Sequence, residues 1–177
     1  MVGSQDVRLL PDAGPLITLA YADALALLFK PNWALQIVDM VLHEVTRHST
    51  PTSAKLSRFV SEAKIPIFST QLFKQYQMNL KNDPSGVSTA NLGELAIQEA
   101  MTTIAMARPT PTAVFLFEDH KIARASFIVP SNCRKISTRA YLQFLEQKGW
   151  IESASAIERR AIQAGRAFSS LRQSPTG

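Results

Sequence analysis

Four acidic residues of this sequence lie at positions that a parallel sheet would bring to one of its edges. Asp12 follows the apolar run VRLLP, and Asp119 lies two residues after the run AVFLF. Glu44 and Glu94 fall near the starts of two helical patterns, each after a predicted strand or loop. Because parallel strands present their carboxyl ends at one edge of the sheet, we expect these four carboxylates to meet there. They would repel one another, and Mg²⁺ or Mn²⁺, which prefers oxygen ligands, would relieve that repulsion.

A hard cation held by carboxylates supports one kind of chemistry in particular. It lowers the pKa of a bound water and offsets the charge that develops on a phosphoryl group under attack. The acidic pattern therefore predicts metal-assisted hydrolysis of phosphodiester bonds, with one or two metal ions. The same carboxylates also have plainer interpretations as helix caps: Asp12 as a turn residue, Asp119 before the next helix, and Glu94 in a capping box with Asn91.

The stretch VLHEVTRH, residues 41–48, superficially resembles a zinc peptidase motif. That motif needs two histidines four residues apart on one helix face. His43 and His48 are five apart, so their rings point about 140° away from each other, and the remaining histidine, His120, is distant in sequence. A zinc site of this type is therefore excluded.

Short apolar segments alternate with helical patterns along the chain. The predicted strands cover residues 7–11, 33–38, 65–69, 113–117 and 133–137, and the predicted helices cover residues 15–29, 40–48, 53–64, 91–107, 120–127, 138–150 and 153–168, with a further helix beginning at residue 71. This alternation is typical of an α/β fold with a mostly parallel sheet and helices on both faces.

Composition and charge narrow the class of protein. A single cysteine, Cys133, excludes an intramolecular disulfide and a cysteine-based zinc site, and no apolar run is long enough to span a membrane. We therefore expect a cytoplasmic protein without a secretory signal. The net charge is +5, and the segment from Lys121 onward holds ten basic residues against three glutamates. This asymmetry favours a polyanionic partner such as nucleic acid, or else a solvated helix face.

Four segments together resemble a PIN domain, and especially the branch that includes VapC-type toxin ribonucleases. They are LLPDAGPLITLAYADALALL, IVDMVLHEV, NLGELAIQEA and VFLFEDHKIAR, and the resemblance runs from about residue 7 to 152. It implies a three-layer α/β/α sandwich for a nuclease domain over residues 1–152. We further expect a basic helix over residues 153–170 that packs on or extends that domain, and a disordered tail over residues 171–177.

The resemblance also implies a function. Asp12, Glu44, Glu94 and Asp119 would bind Mg²⁺ or Mn²⁺ and cleave single-stranded RNA, and Glu118 would be an auxiliary acid that points away from the site. The chain would form a homodimer and pair with an antitoxin protein. On the same reading, the substrate backbone would be held by basic residues after the fourth acid, namely Lys121, Arg124 and Arg139.

Three departures and two alternatives accompany this interpretation. Phe117 stands where many relatives carry a hydroxyl residue, and the segment 71–90 looks longer than a compact toxin requires. The basic C-terminal helix, 153–168, extends past the core that the family shares. A catalytically inactive PIN-like scaffold that binds RNA or protein is one alternative. A phospho-accepting receiver domain is the other, but its acidic residues would cluster near the first strand.

Overall fold

The computed structural model of this protein describes residues 6–118 and 129–167. The strands are β1 (Val7–Pro11), β2 (Ala34–Leu35), β3 (Ile37–Val38), β4 (Ile67–Phe68), β5 (Thr112–Phe117) and β6 (Cys133–Ser137). The α-helices are α1 (Ala13–Tyr21), α2 (Asp39–Thr46), α3 (Ser53–Glu62), α4 (Gln71–Asn82), α5 (Leu92–Met106), α6 (Thr138–Gln147) and α7 (Ala154–Gln163), and a 3₁₀ helix covers Leu25–Phe29. The predicted helix 120–127 and the predicted tail lie outside the described residues.

Four strands form a parallel sheet in the order β2-β1-β5-β6. The two central strands, β1 and β5, pair along the whole of β1, from Val7 opposite Thr112 to Pro11 opposite Leu116. Five successive residues of β5 are buried, which requires cover on both faces of the sheet. The predicted α/β fold, with a parallel sheet between helices, is confirmed.

The single strand predicted over residues 33–38 is divided in the structure. The N–H of Gln36 donates to the carbonyl of Leu9 at 3.0 Å, whereas the N–H of Ile37 donates to that of Pro66 at 3.2 Å. The chain therefore changes partner at Gln36, and β3 pairs with β4 in a separate two-stranded parallel sheet. Helix α2, which carries Glu44, thus starts from a different sheet than helix α1.

The single helix predicted over residues 15–29 is also wrong, because α1 ends at Tyr21. Asp23 adopts the left-handed conformation with φ of 50°. The N–H of Asp23 donates to the carbonyl of Ala20, and the N–H of Ala24 donates to that of Leu19. These two bonds form a Schellman motif, which terminates a helix and in which aspartate is tolerated in place of glycine.

Helix α7 lies against α1 and α6 and ends in a second Schellman motif. The N–H of Arg166 donates to the carbonyl of Ala161 at 2.9 Å, and the N–H of Gly165 donates to that of Ile162 at 3.0 Å. Gly165 has a φ of 112°, a backbone conformation that residues other than glycine rarely adopt. The turn brings Arg166 back onto α1. None of the described helices is both long and apolar enough to cross a membrane.

Candidate metal centre

Two buried carboxylates lie at the ends of the two central strands. Asp12 directly follows β1 and Glu118 directly follows β5, and each is only 1% exposed. The chain leaves β1 toward β2 on one side, whereas β5 and β6 lie on the other side, so the boundary between β1 and β5 is a topological switch point. Ligands of open α/β sheets bind outside the carboxyl ends of strands at such a point.

The Glu118 carboxylate is held by two hydroxyl groups from distant parts of the chain. Thr18 of α1 donates to Oε1 of Glu118 at 2.9 Å, and Thr138, the first residue of α6, donates to the same oxygen at 3.1 Å. Among the described residues, no hydrogen bond reaches Oε2 and no cationic side chain forms an ion pair with Glu118. A buried carboxylate normally has an ionic partner or a metal ion, and here neutral donors hold only one of its oxygens.

Gly14 makes room for this carboxylate. A β-carbon at position 14 would overlap the side chain of Glu118 and would stand 3.5 Å from its carboxylate carbon. Since Gly14 is the second residue of α1, the absence of a side chain lets Glu118 lie directly on the first turn of the helix. The Gly in the sequence DAGPLI is thus explained by the close approach of an acidic residue about a hundred positions away.

Asp12 is not the ordinary cap that its position also allowed. It occupies the N-cap position of α1, yet within the described structure its side chain accepts no capping hydrogen bond from that helix. Its backbone N–H donates to the carbonyl of Leu116 at 2.8 Å and so extends the pairing of β1 with β5. The positive end of a helix dipole stabilises a nearby anion by roughly 1 kcal/mol. Burial of a carboxylate costs several kcal/mol, so the dipole of α1 alone does not offset the burial of Asp12.

The other two predicted acids meet where α2 and α5 pack together. Oε2 of Glu44 lies 2.6 Å from where a β-carbon of Gly93 would stand. Gly93 and Glu94 are successive residues in the first turn of α5, so Glu44 lies against the turn that carries Glu94. Glu44 is exposed and Glu94 half-buried. Asn91, in the left-handed conformation, does not cap α5 with its side chain, which argues against the capping-box interpretation of Glu94.

Gly93 offers a direct test of the Glu44 carboxylate. In Gly93→Ala the new methyl group must displace Oε2 of Glu44, which is the flexible end of a side chain, while alanine favours the helix over glycine by about 1 kcal/mol. We expect unchanged or higher stability in urea unfolding, together with weaker Mn²⁺ binding in calorimetry. Gly86→Ala is the control, because its methyl group would displace the carboxylate of Asp83 and none of the four predicted acids. Equal Mn²⁺ affinity in wild type and Gly93→Ala would remove Glu44 from the centre.

The structure therefore places the described acids at two locations. Asp12 and Glu118 lie at the ends of the adjacent strands β1 and β5, and Glu44 and Glu94 lie at the contact of α2 with α5. Over residues 6–118 and 129–167, no group of three or more His, Cys, Asp or Glu side chains is close enough to hold a metal ion. Asp119, the predicted fourth acid, lies outside the described residues, so the complete four-acid centre stays a prediction.

Glu118 lies against α1 and α6. Alternation of side chains along a strand predicts that it points away from Asp119 and has an auxiliary role. Strand alternation ceases once the strand has ended at Phe117, and the hydroxyls of Thr18 and Thr138 draw the carboxylate onto α1 and α6. An apolar strand followed by two acidic residues indicates an acid at the end of the strand, but the pattern does not show whether that acid is Glu118 or Asp119.

Aromatic residues surround the histidine beside Glu44. Nε2 of His43 lies 3.3 Å from the hydroxyl of Tyr76, and its ring packs against Phe73 and Tyr76. Burial, with smaller effects from the charges of Arg47 and His48, lowers the pKa of His43 from its ordinary value of 6.5. His43 is therefore neutral at pH 7 and adds no positive charge next to Glu44.

The predicted phosphate contacts are only partly described. Arg139 lies at the start of α6, where its guanidinium donates to both carboxylate oxygens of Glu158 on α7, at 3.1 and 3.3 Å. This ion pair joins the last two helices, so Arg139 has a structural role whether or not it also meets a substrate. Lys121 and Arg124 lie outside the described residues, as does His120.

Comparison with known proteins finds similarity to solved structures. The chain is similar to the T. brucei RRP44 PIN domain, with a TM-score of 0.48 and 15% sequence identity over 81% of this chain and 83% of that one. No protein-family model matches the sequence, and no curated protein matches it. The functional assignment therefore depends on the residues of the site.

Proposed function

We propose that this protein is a divalent-metal-dependent endoribonuclease that hydrolyses phosphodiester bonds of single-stranded RNA. The observation that carries the proposal is the burial of Glu118 at a topological switch point, next to Asp12, with hydrogen bonds to one of its oxygens and no ionic partner among the described residues. Such a carboxylate is stabilised by a hard cation. The resemblance of the sequence to PIN domains supplies the substrate class.

The donor set fits Mg²⁺ or Mn²⁺. The groups that the structure describes at Glu118 are its own carboxylate and the hydroxyls of Thr18 and Thr138, and hard cations prefer oxygen ligands of this kind. Asp12, Glu118 and the predicted Asp119 would hold the ion at the ends of β1 and β5. Glu44 and Glu94 would complete the site from α2 and α5. When bound, the ion supplies an activated water and offsets charge on the phosphate.

The protein's own side chains prepare this chemistry. Thr18 and Thr138 orient Glu118 through their hydrogen bonds to Oε1. Among the described residues, no hydrogen bond occupies the second oxygen, Oε2. Gly14 and Gly93 let acidic side chains approach the first turns of α1 and α5. Preorganised ligands of this kind lower the reorganisation that accompanies reaction.

The biological role follows from the same resemblance. We propose that the nuclease is the toxin of a toxin–antitoxin pair, acts as a homodimer and is inhibited by a protein partner. The basic residues of the C-terminal third supply positive charge for the RNA backbone.

Cleavage in the presence and absence of metal tests the activity. Purified protein and end-labelled single-stranded RNA are incubated with Mg²⁺, with Mn²⁺ or with EDTA, and products are resolved on a denaturing gel. We expect internal cleavage that requires the metal and is restored by adding it back after EDTA. Binding of RNA without cleavage under every metal condition would contradict the proposal and favour the catalytically inactive scaffold.

A further inference from the structure

A chain of hydrogen bonds connects the C-terminal helix to the buried carboxylate. Nε of Arg166 donates to Oγ1 of Thr18 at 2.9 Å, and Thr18 in turn donates to Oε1 of Glu118 at 2.9 Å. Arg166 and Thr18 are 148 residues apart in sequence, so only the folded arrangement of α7 on α1 produces this contact. The contact is partly buried, and the Schellman turn at Gly165 directs it.

The direction of these bonds is fixed by chemistry. A guanidinium only donates hydrogen bonds, so the Thr18 oxygen must be the acceptor of the bond from Arg166. The single proton of the Thr18 hydroxyl is then left for Glu118. A hydroxyl that already accepts from a cation is also a stronger donor, because successive hydrogen bonds polarise one another. Arg166 therefore reinforces the bond that orients Glu118.

The relay also explains how a basic residue can serve a cation site without competing for it. An arginine paired directly with Glu118 would occupy the carboxylate oxygens that a metal ion needs. Acting through Thr18, Arg166 adds positive charge near the carboxylate while neither oxygen of Glu118 contacts the guanidinium. Removing a residue that supports a metal ligand without contacting the metal commonly changes the metal affinity of the site by tenfold or more.

We propose that Arg166 is a positioning residue of the metal centre, and that through Thr18 it makes helix α7 a required part of the site. The inference rests on the proposed function, since the carboxylate it orients is the proposed metal ligand. It assigns to the C-terminal extension a role inside the protein. The positive charge of this extension faces the acidic site at Arg166 and the outer surface at its exposed basic residues.

Arg166→Ala tests this role against a matched control. Arg159→Ala removes the same charge from an exposed position of α7, the helix that the turn with Arg166 follows. We expect Arg166→Ala to weaken Mn²⁺ binding about tenfold in calorimetry and to lower the cleavage rate at saturating RNA, whereas Arg159→Ala leaves the Mn²⁺ affinity unchanged. Equal Mn²⁺ affinity in the two variants would overturn the inference.

A second pair of variants tests the relay itself. Thr18→Val removes the hydroxyl with little change in volume, whereas Thr18→Ser keeps it. We expect Thr18→Val to reproduce the loss seen in Arg166→Ala, and Thr18→Ser to retain most of the Mn²⁺ affinity. Adding Arg166→Ala to Thr18→Val should then have little further effect, because the relay is already broken. Fully multiplicative losses would show that Arg166 does not act through Thr18.

A metal-free measurement keeps this inference separate from the proposed function. Unfolding in EDTA is followed for Arg166→Ala, Glu118→Gln and the double variant. Linked residues should show coupling of about threefold or more in the unfolding equilibrium constant. If wild type neither binds Mn²⁺ nor cleaves RNA, the proposed function fails while this coupling still decides whether Arg166 positions Glu118. Additive effects would reject the positioning role.

Discussion

Asp12→Asn is expected to abolish metal-dependent RNA cleavage while the protein stays folded. Asparagine has the shape of aspartate, and the backbone bond from residue 12 to Leu116 does not depend on the side chain. A neutral amide replaces a negatively charged ligand, and a metal ion supplies several kcal/mol of transition-state stabilisation. We therefore expect a loss of about a thousandfold or more in the single-turnover cleavage rate.

Asp23→Asn provides the control for that experiment. Asp23 is exposed, pairs with Lys55 at 2.6 Å and lies in a conformation that asparagine also accepts. Surface ion pairs contribute about 1 kcal/mol or less, so this variant should cleave RNA at the wild-type rate. Cleavage by Asp12→Asn within tenfold of the control would place the chemistry elsewhere.

Glu118→Gln is expected to separate stability from activity. The amide oxygen of glutamine can still accept from Thr18 and Thr138, but the buried negative charge is gone. In EDTA we expect the variant to unfold at a higher urea concentration, with a gain of about 1–2 kcal/mol, because sites that hold a buried charge for function are commonly less stable than their neutral variants. Its cleavage rate should fall to background.

Metal ions should make wild type more stable than Glu118→Gln, which is the reverse of the order expected in EDTA. Ligands that bind only the folded state stabilise it, and the stabilisation grows with the logarithm of their concentration once that exceeds the dissociation constant. Mn²⁺ should therefore raise the unfolding midpoint of wild type and leave that of Glu118→Gln unchanged. If the variant is less stable than wild type in EDTA and still responds to Mn²⁺, then Glu118 is a structural residue held by two threonines, and the metal centre lies with Asp119.

The parts of the fold that depend on local pattern were predictable from the sequence. The run AVFLF is apolar throughout because a strand at the centre of a parallel sheet is covered on both faces, and it is a strand in the structure. The run VRLLP, which is apolar apart from Arg8, is also a strand. Strand Cys133–Ser137 and the start of helix α6 were also predicted correctly.

The parts that depend on distant partners were not predictable. The helix break at Asp23 uses a left-handed aspartate in a place where glycine is the usual signal. The change of strand partner at Gln36 depends on the position of Pro66. The pairing of Glu44 with Gly93 and the relay from Arg166 join segments far apart in sequence, so neither leaves a local trace.

The hydrogen bond between Thr18 and Arg166 has a consequence for the order in which the chain can fold during its synthesis. At roughly 5–20 residues per second, a ribosome needs on the order of ten seconds or more to add the 148 residues between them. Until then the nascent chain has its first strand and helix, but Thr18 lacks one of its hydrogen-bond partners. The support of the Glu118 carboxylate is therefore completed only after Arg166 has been added to the chain.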